Sequence, residues 1–117
     1  MPVDARDADI LEKMLRYCDE IEEAHQKCGR SYAAFVQDSV YRNAVSLCLM
    51  QIGELSNHLS EDFKARNASI PWREIRGMRN VVAHEYGHTD TEIVWETATE
   101  DIAGIRAFCE RVLREIG

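Results

Sequence analysis

The run SVYRNAVSLCLMQIGELSNHLS, residues 39 to 60, constrains the fold most. Val40, Ala44, Val45, Leu47, Cys48, Leu49, Ile52, Leu55 and Leu59 recur at steps of three and four residues and also as neighbouring pairs. That apolar surface is too wide for one narrow stripe, so a helix here is expected to be the most buried of the chain. Only two prolines and six glycines interrupt 117 residues, and strand signals are nearly absent. No internal repeat and no low-complexity segment is present.

The flanking segments carry helical periods of their own. From Asp4 to about Cys28, the positions Ile10, Leu11, Met14, Cys18, Ile21 and His25 predict one buried stripe, ended by the sequence CGRS. A short helical turn near Tyr32 to Val36 leads to Asp38, a predicted N-cap for the central helix. Residues 60 to 69 read as a loop. Pro71 then opens a third long helix as a first-turn proline, expected to stop near Tyr86 and Gly87. Thr89-Asp90-Thr91-Glu92 has capping-box spacing, and Val94, Ala98, Ile102, Ile105, Cys109, Val112 and Ile116 mark a final helix. Trp72 and Trp95 read as core anchors. The expectation is one all-α domain over residues 1–117, an antiparallel bundle of four main helices plus a short one.

The net charge of −7 argues by itself against a nucleic-acid partner, but the charge is unevenly spread. Between residues 63 and 88 stand Lys64, Arg66, Arg73, Arg76 and Arg79 against Glu74 and Glu85, a balance of +3 that leaves −10 for the remainder. Such a basic patch on an acidic body can bind phosphate. The bland alternative is a solvated helix face, with Arg73 paired to Glu74 or Glu54. Cys18, Cys28, Cys48 and Cys109 lack any metal-site spacing and read as reduced thiols of a cytoplasmic protein. The acidic start MPVDARDADI does not fit a secretory signal, and no segment reaches the apolar length of a membrane span.

Within the basic window, RNVVAHEYGH supports two incompatible readings. Its last five letters match the His-Glu-x-x-His pattern of zinc proteases. That pattern needs both histidines on one continuous helical turn, whereas Gly87 precedes His88 and GHTDTE reads as a helix end followed by a new cap. No metal is therefore expected, and His25, His58 and His88 read as packing, surface or loop residues.

The second reading begins at Arg79. On a helix from Pro71, Ile75, Met78 and Val82 share the core face, and Arg76, Arg79, Asn80 and Ala83 share another with His84 at its edge. An arginine offers a planar fork of donors to a phosphate and stabilises the charge that develops on it. A histidine can take a proton from a ribose 2′-hydroxyl or give one to the departing 5′-oxygen. RNA would thus bring its own nucleophile, and neither a metal nor another cofactor is required. Arg79 and His84 are the candidate catalytic residues, and Arg73, Arg76 and Asn80 the candidate RNA-binding residues.

IPWREIRGMRNVVAHEYG, followed by TDTEIVWETATEDI, resembles the HepT-like group of HEPN-domain ribonucleases, the toxin partners of MntA-like minimal nucleotidyltransferase antitoxins. The segment from Asp38 and the sequence IGELSNHLS fit the group's central helix, and the helix order agrees over nearly the whole chain. The family's pattern of Arg, four residues, His, one residue, Tyr falls on Arg79, His84 and Tyr86, and Asn80 also matches. The resemblance implies an all-helical homodimer whose two motifs meet at a shared cleft, RNA as substrate, and membership of a type VII toxin–antitoxin pair. It also implies that the antitoxin attaches AMP to Tyr86. The rival is a non-catalytic helical module that dimerises and binds a nucleotide or the nucleotidyltransferase; the Arg79 and His84 pair favours the enzyme.

Overall fold

A computed structural model describes residues 3–82 and 91–116, and every described element is helical. Helix α1 spans Ala5–Lys27, α2 Tyr32–Gln37, α3 Ser39–Asn57, α4 Glu61–Arg66 and α5 Trp72–Arg76. A segment α6 covers residues 78–82, where the description stops. After it come α7, Thr91–Glu96, a π-helical turn, Thr97–Asp101, and α8, Ile102–Ile116. This is the expected all-α bundle: α1 lies against both α3 and α8, α3 packs on α5, and α2 bridges α3 and α7. No described helix is long and apolar enough to cross a membrane.

Local sequence explains where these helices begin. Asp4 caps α1 by accepting from the Arg6 amide, and Asp38 caps α3 by accepting from the amides of Val40 and Tyr41, as expected. The buried stripe of α1 includes all six expected residues, from Ile10 to His25. At one end of the bundle Tyr32, Phe35, Tyr41 and Trp95 form an aromatic cluster around His25. At the other, Phe63, Trp72 and Phe108 meet edge to face or tilted. Trp72 and Trp95 anchor these clusters while only partly buried.

Several expectations are corrected. The loop expected over residues 60–69 contains α4. Ser60 caps it by accepting from the Phe63 amide, and buried Phe63 pins it to the core. Ser60 is itself held by buried Asp7, which accepts from its amide at 2.9 Å and its hydroxyl at 2.6 Å. The element from Pro71 is not one continuous helix. Pro71 occupies the N-cap position rather than the first turn, and a tight turn at Gly77 separates α5 from α6. Glycine supports an unbroken helix less well than any residue except proline. The Asn80 and Val81 amides both return to the Gly77 carbonyl, so the helical sense is nearly kept.

Helix α3 is less buried than its composition suggests. Val40 is 75% exposed and Leu47 55%, and Ala44 between them is also exposed. The last helix is also not uniform. In its π-helical turn the Ile102 amide reaches back to the Thr97 carbonyl, and the Thr97 and Thr99 hydroxyls donate to the carbonyls of Ile93 and Trp95. Ile116, expected on the buried stripe, is exposed. Thr89 and Asp90 of the expected capping box lie outside the described residues.

Candidate functional site

Ile75, Met78 and Val82 are buried, as their shared face predicts, and they fix the α5–α6 segment to the bundle. Arg73, Arg76, Arg79 and Asn80 are consequently exposed together. Gly53 of α3 supports this placement. A Cβ on Gly53 would lie 3.2 Å from the Ile75 carbonyl oxygen and 3.4 Å from the Arg79 amide nitrogen, so only glycine gives the two backbones this approach without displacement. The neighbouring Glu54 accepts from Arg79, Oε1 to Nη1, at 2.6 Å. Glu54 is thus the partner of Arg79 rather than of Arg73. Among the described residues Arg73 and Arg76 make no ion pair, whereas Lys64 pairs with Glu61 and Arg66 with Asp62.

An open groove of about 550 Å³ runs beside this face, lined by Asn57, Trp72, Lys64, Arg73 and Arg76 together with the carboxylates of Glu61 and Glu74. Lys64 is paired with Glu61, so Arg73 and Arg76 are the cations this groove offers an anion. A groove of about 670 Å³ on the other flank is lined by Ile75, Met78, Val81, Glu74, Glu100 and Asp101, and its three carboxylates make it a poor place for a phosphate. The catalytic candidate His84 and the modification candidate Tyr86 lie outside the described residues, as does Ala83.

Buried reactive groups among the described residues are occupied or quenched. His25 is buried between Tyr41, whose hydroxyl lies 2.5 Å from Nδ1, and the Ala98 carbonyl, 3.2 Å from Nε2. A carbonyl can only accept, so Nε2 carries the proton and Nδ1 accepts from Tyr41. Burial pushes the Tyr41 phenol up to about 12, which keeps it a donor. His25 is therefore a structural residue, as its sequence position suggests. The four cysteines are unpaired thiols. Burial pushes Cys48 up to about 11 and Cys109 up to about 12, so neither is a nucleophile near neutrality.

Glu54 is the site residue that sequence periodicity passed over. Its signal was nonetheless present: Val40, Ala44, Leu47, Gln51 and Glu54 follow one another at four- and three-residue steps, a stripe of α3 that is exposed from Val40 to Leu47, half-buried at Gln51 and Glu54, and ends beside Arg79.

Comparison with known proteins identifies the family. The profile of the family described as Ribonuclease HepT-like matches residues 14–112. A protein of Caldanaerobacter subterraneus named as a candidate RNase is 32% identical over 105 residues, covering 90% of this chain and 92% of its own. One of Thermococcus cleftensis, named probable ribonuclease HepT, is 33% identical over 104 residues, covering 89% and 93%. A candidate RNase of Methanocaldococcus jannaschii is 31% identical over 107 residues, covering 92% and 87%. No solved structure gives a significant match. With a family match over most of its length and an all-α fold to go with it, the chain belongs to the HepT-like ribonuclease family and is an endoribonuclease.

Proposed function

We propose that this endoribonuclease is the toxin of a type VII toxin–antitoxin pair, that it cuts RNA in the cytoplasm without a metal, and that AMP on Tyr86 silences it. The exposed Arg76, Arg79 and Asn80 face of a HepT-like motif segment carries the reading. In the proposed reaction the 2′-hydroxyl oxygen attacks the adjacent phosphorus and gives its proton to a base. The bond from phosphorus to the 5′-oxygen breaks, and that oxygen takes a proton from an acid. Arg79 stabilises the additional negative charge on phosphorus. Arg73, Arg76 and Asn80 hold the strand along the neighbouring groove. His84 serves as base or acid.

One motif histidine cannot be base and acid at once, which supports a homodimer. The exposed α3 stripe offers a surface for it, because a second copy placed there would bring its own motif towards the Arg79 end. AMP transfer would join the Tyr86 oxygen to the α-phosphorus of a nucleoside triphosphate and release pyrophosphate. The resulting phosphodiester anion would compete for Arg76 and Arg79, and its nucleoside would block the strand.

The test is expression with and without the cognate nucleotidyltransferase. Alone, the wild-type chain is expected to arrest growth and cleave RNA, and folded His84→Ala and Arg79→Ala proteins are expected to do neither. With the partner, intact mass is expected to rise by one or more AMP units, and Tyr86→Phe to escape the modification. Full toxicity of His84→Ala would refute the catalytic assignment. Neutralisation of an unmodified chain would replace the covalent switch with masking by binding.

A further inference from the structure

The motif arginine does not stand free. Arg79 Nη1 lies 2.6 Å from Glu54 Oε1, with the two side chains 61% and 40% exposed. Close approach of α3 at Gly53 delivers the adjacent Glu54 to this point, because the Gly53 Cα faces the backbone of Ile75, Arg76 and Arg79 directly. A guanidinium carries five N–H donors in one plane. A carboxylate at Nη1 occupies one end of that fork and restricts an otherwise mobile side chain, leaving the remaining donors for another anion.

We infer that Glu54 is a positioning residue for RNA cleavage, holding one end of Arg79 so that its other N–H groups are aimed at the phosphate undergoing attack. The inference rests on the reading of Arg79 as catalytic. It carries a kinetic signature. The carboxylate repels the RNA backbone, so removing it does not weaken substrate binding; it loosens the arginine, and the loss falls on turnover. Small misplacements of a catalytic group cost on the order of 100-fold in rate.

The test is steady-state cleavage of an RNA oligonucleotide by the full-length protein. Glu54→Ala is expected to lower kcat about 10- to 100-fold, with KM unchanged or reduced. Glu54→Gln keeps the side-chain volume and an accepting oxygen, and is expected to fall between Glu54→Ala and wild type. In an Arg79→Lys background, which lacks the planar fork, Glu54→Ala is expected to cost several-fold less. Unchanged or raised kcat in both Glu54 variants would overturn the inference, as would a loss confined to KM or an equal loss beside Arg79→Lys. If Glu54→Ala does not fold, the kcat and KM of Glu54→Gln decide by the same criteria. A wild-type protein that cuts no RNA would overturn the cleavage reading and this inference with it, whereas an active wild type with fully active Glu54 variants overturns the inference alone.

Discussion

Gly53 of α3 faces Ile75 of α5 so closely that a Cβ on the glycine would sit 3.2 Å from the isoleucine carbonyl oxygen. Gly53→Ala sets two effects against each other. Alanine favours a helix over glycine by about 1 kcal/mol, but overpacking against rigid backbone costs about 1–3 kcal/mol. Three backbone atoms of the facing segment within 3.4 Å leave little room to relax, so net destabilisation is expected, accompanied by reduced cleavage as Arg79 shifts. Gly104 of α8 has nothing within 4 Å of its Cβ position. There the helix preference acts alone, and Gly104→Ala is expected to raise Tm by about 4 °C. Thermal melts of the two variants check both signs.

His25 ties α1 to Tyr41 of α3 and to the Ala98 carbonyl in the π-helical turn. That carbonyl lacks its ordinary partner four residues on, because the Ile102 amide is bonded to Thr97. Burial, the main cause, holds the His25 imidazole below its ordinary value of 6.5. The unfolded chain therefore binds this proton more readily than the folded one. The stability contribution is complete above pH about 6.5 and is lost as pH falls from there through the lower folded value. Denaturant melts from pH 7.5 to 5 are expected to show this decline. His25→Leu is expected to be less stable at pH 7.5, with Tyr41 and Ala98 left without their partner, and to have a shallower pH slope. An unchanged slope would place the titration elsewhere.

The α3 stripe predicts assembly. Leu47 is 55% exposed, so Leu47→Glu leaves the core intact while placing a charge where two apolar stripes would meet. Wild type is expected to sediment as a dimer and Leu47→Glu as a folded monomer with much reduced cleavage. A folded Leu47→Glu dimer would refute this surface. A fully active wild-type monomer would refute the shared cleft.

Helices α1, α3 and α8 were legible in the sequence because three- and four-residue periods report directly on a buried face. What escaped depends on distant or unusual partners. Helix α4 is tied through Ser60 to Asp7, 53 residues away, a contact no local pattern registers. The π-helical turn preserves the apolar order of Val94, Ala98 and Ile102, so periodicity passes over it. Val40 and Leu47 were counted as core because composition does not distinguish a surface buried within one chain from one left exposed. The candidate site was legible as a motif, through the spacing of Arg79 and His84. Glu54 was not, because its role comes from the close packing of α3 at Gly53.

The chemistry of the RNA ends tests the central claim most directly. Purified protein is incubated with a single-stranded RNA oligonucleotide in excess chelator, and the fragments are identified by mass. The expected products are a 2′,3′-cyclic phosphate on one fragment and a free 5′-hydroxyl on the other. Neither is expected from His84→Ala or Arg79→Ala, nor from a substrate lacking the 2′-hydroxyl at the cut position. Fragments bearing a 5′-phosphate, or activity abolished by the chelator and restored by zinc, would contradict a reaction in which RNA supplies the nucleophile and Arg79 and His84 supply the catalysis.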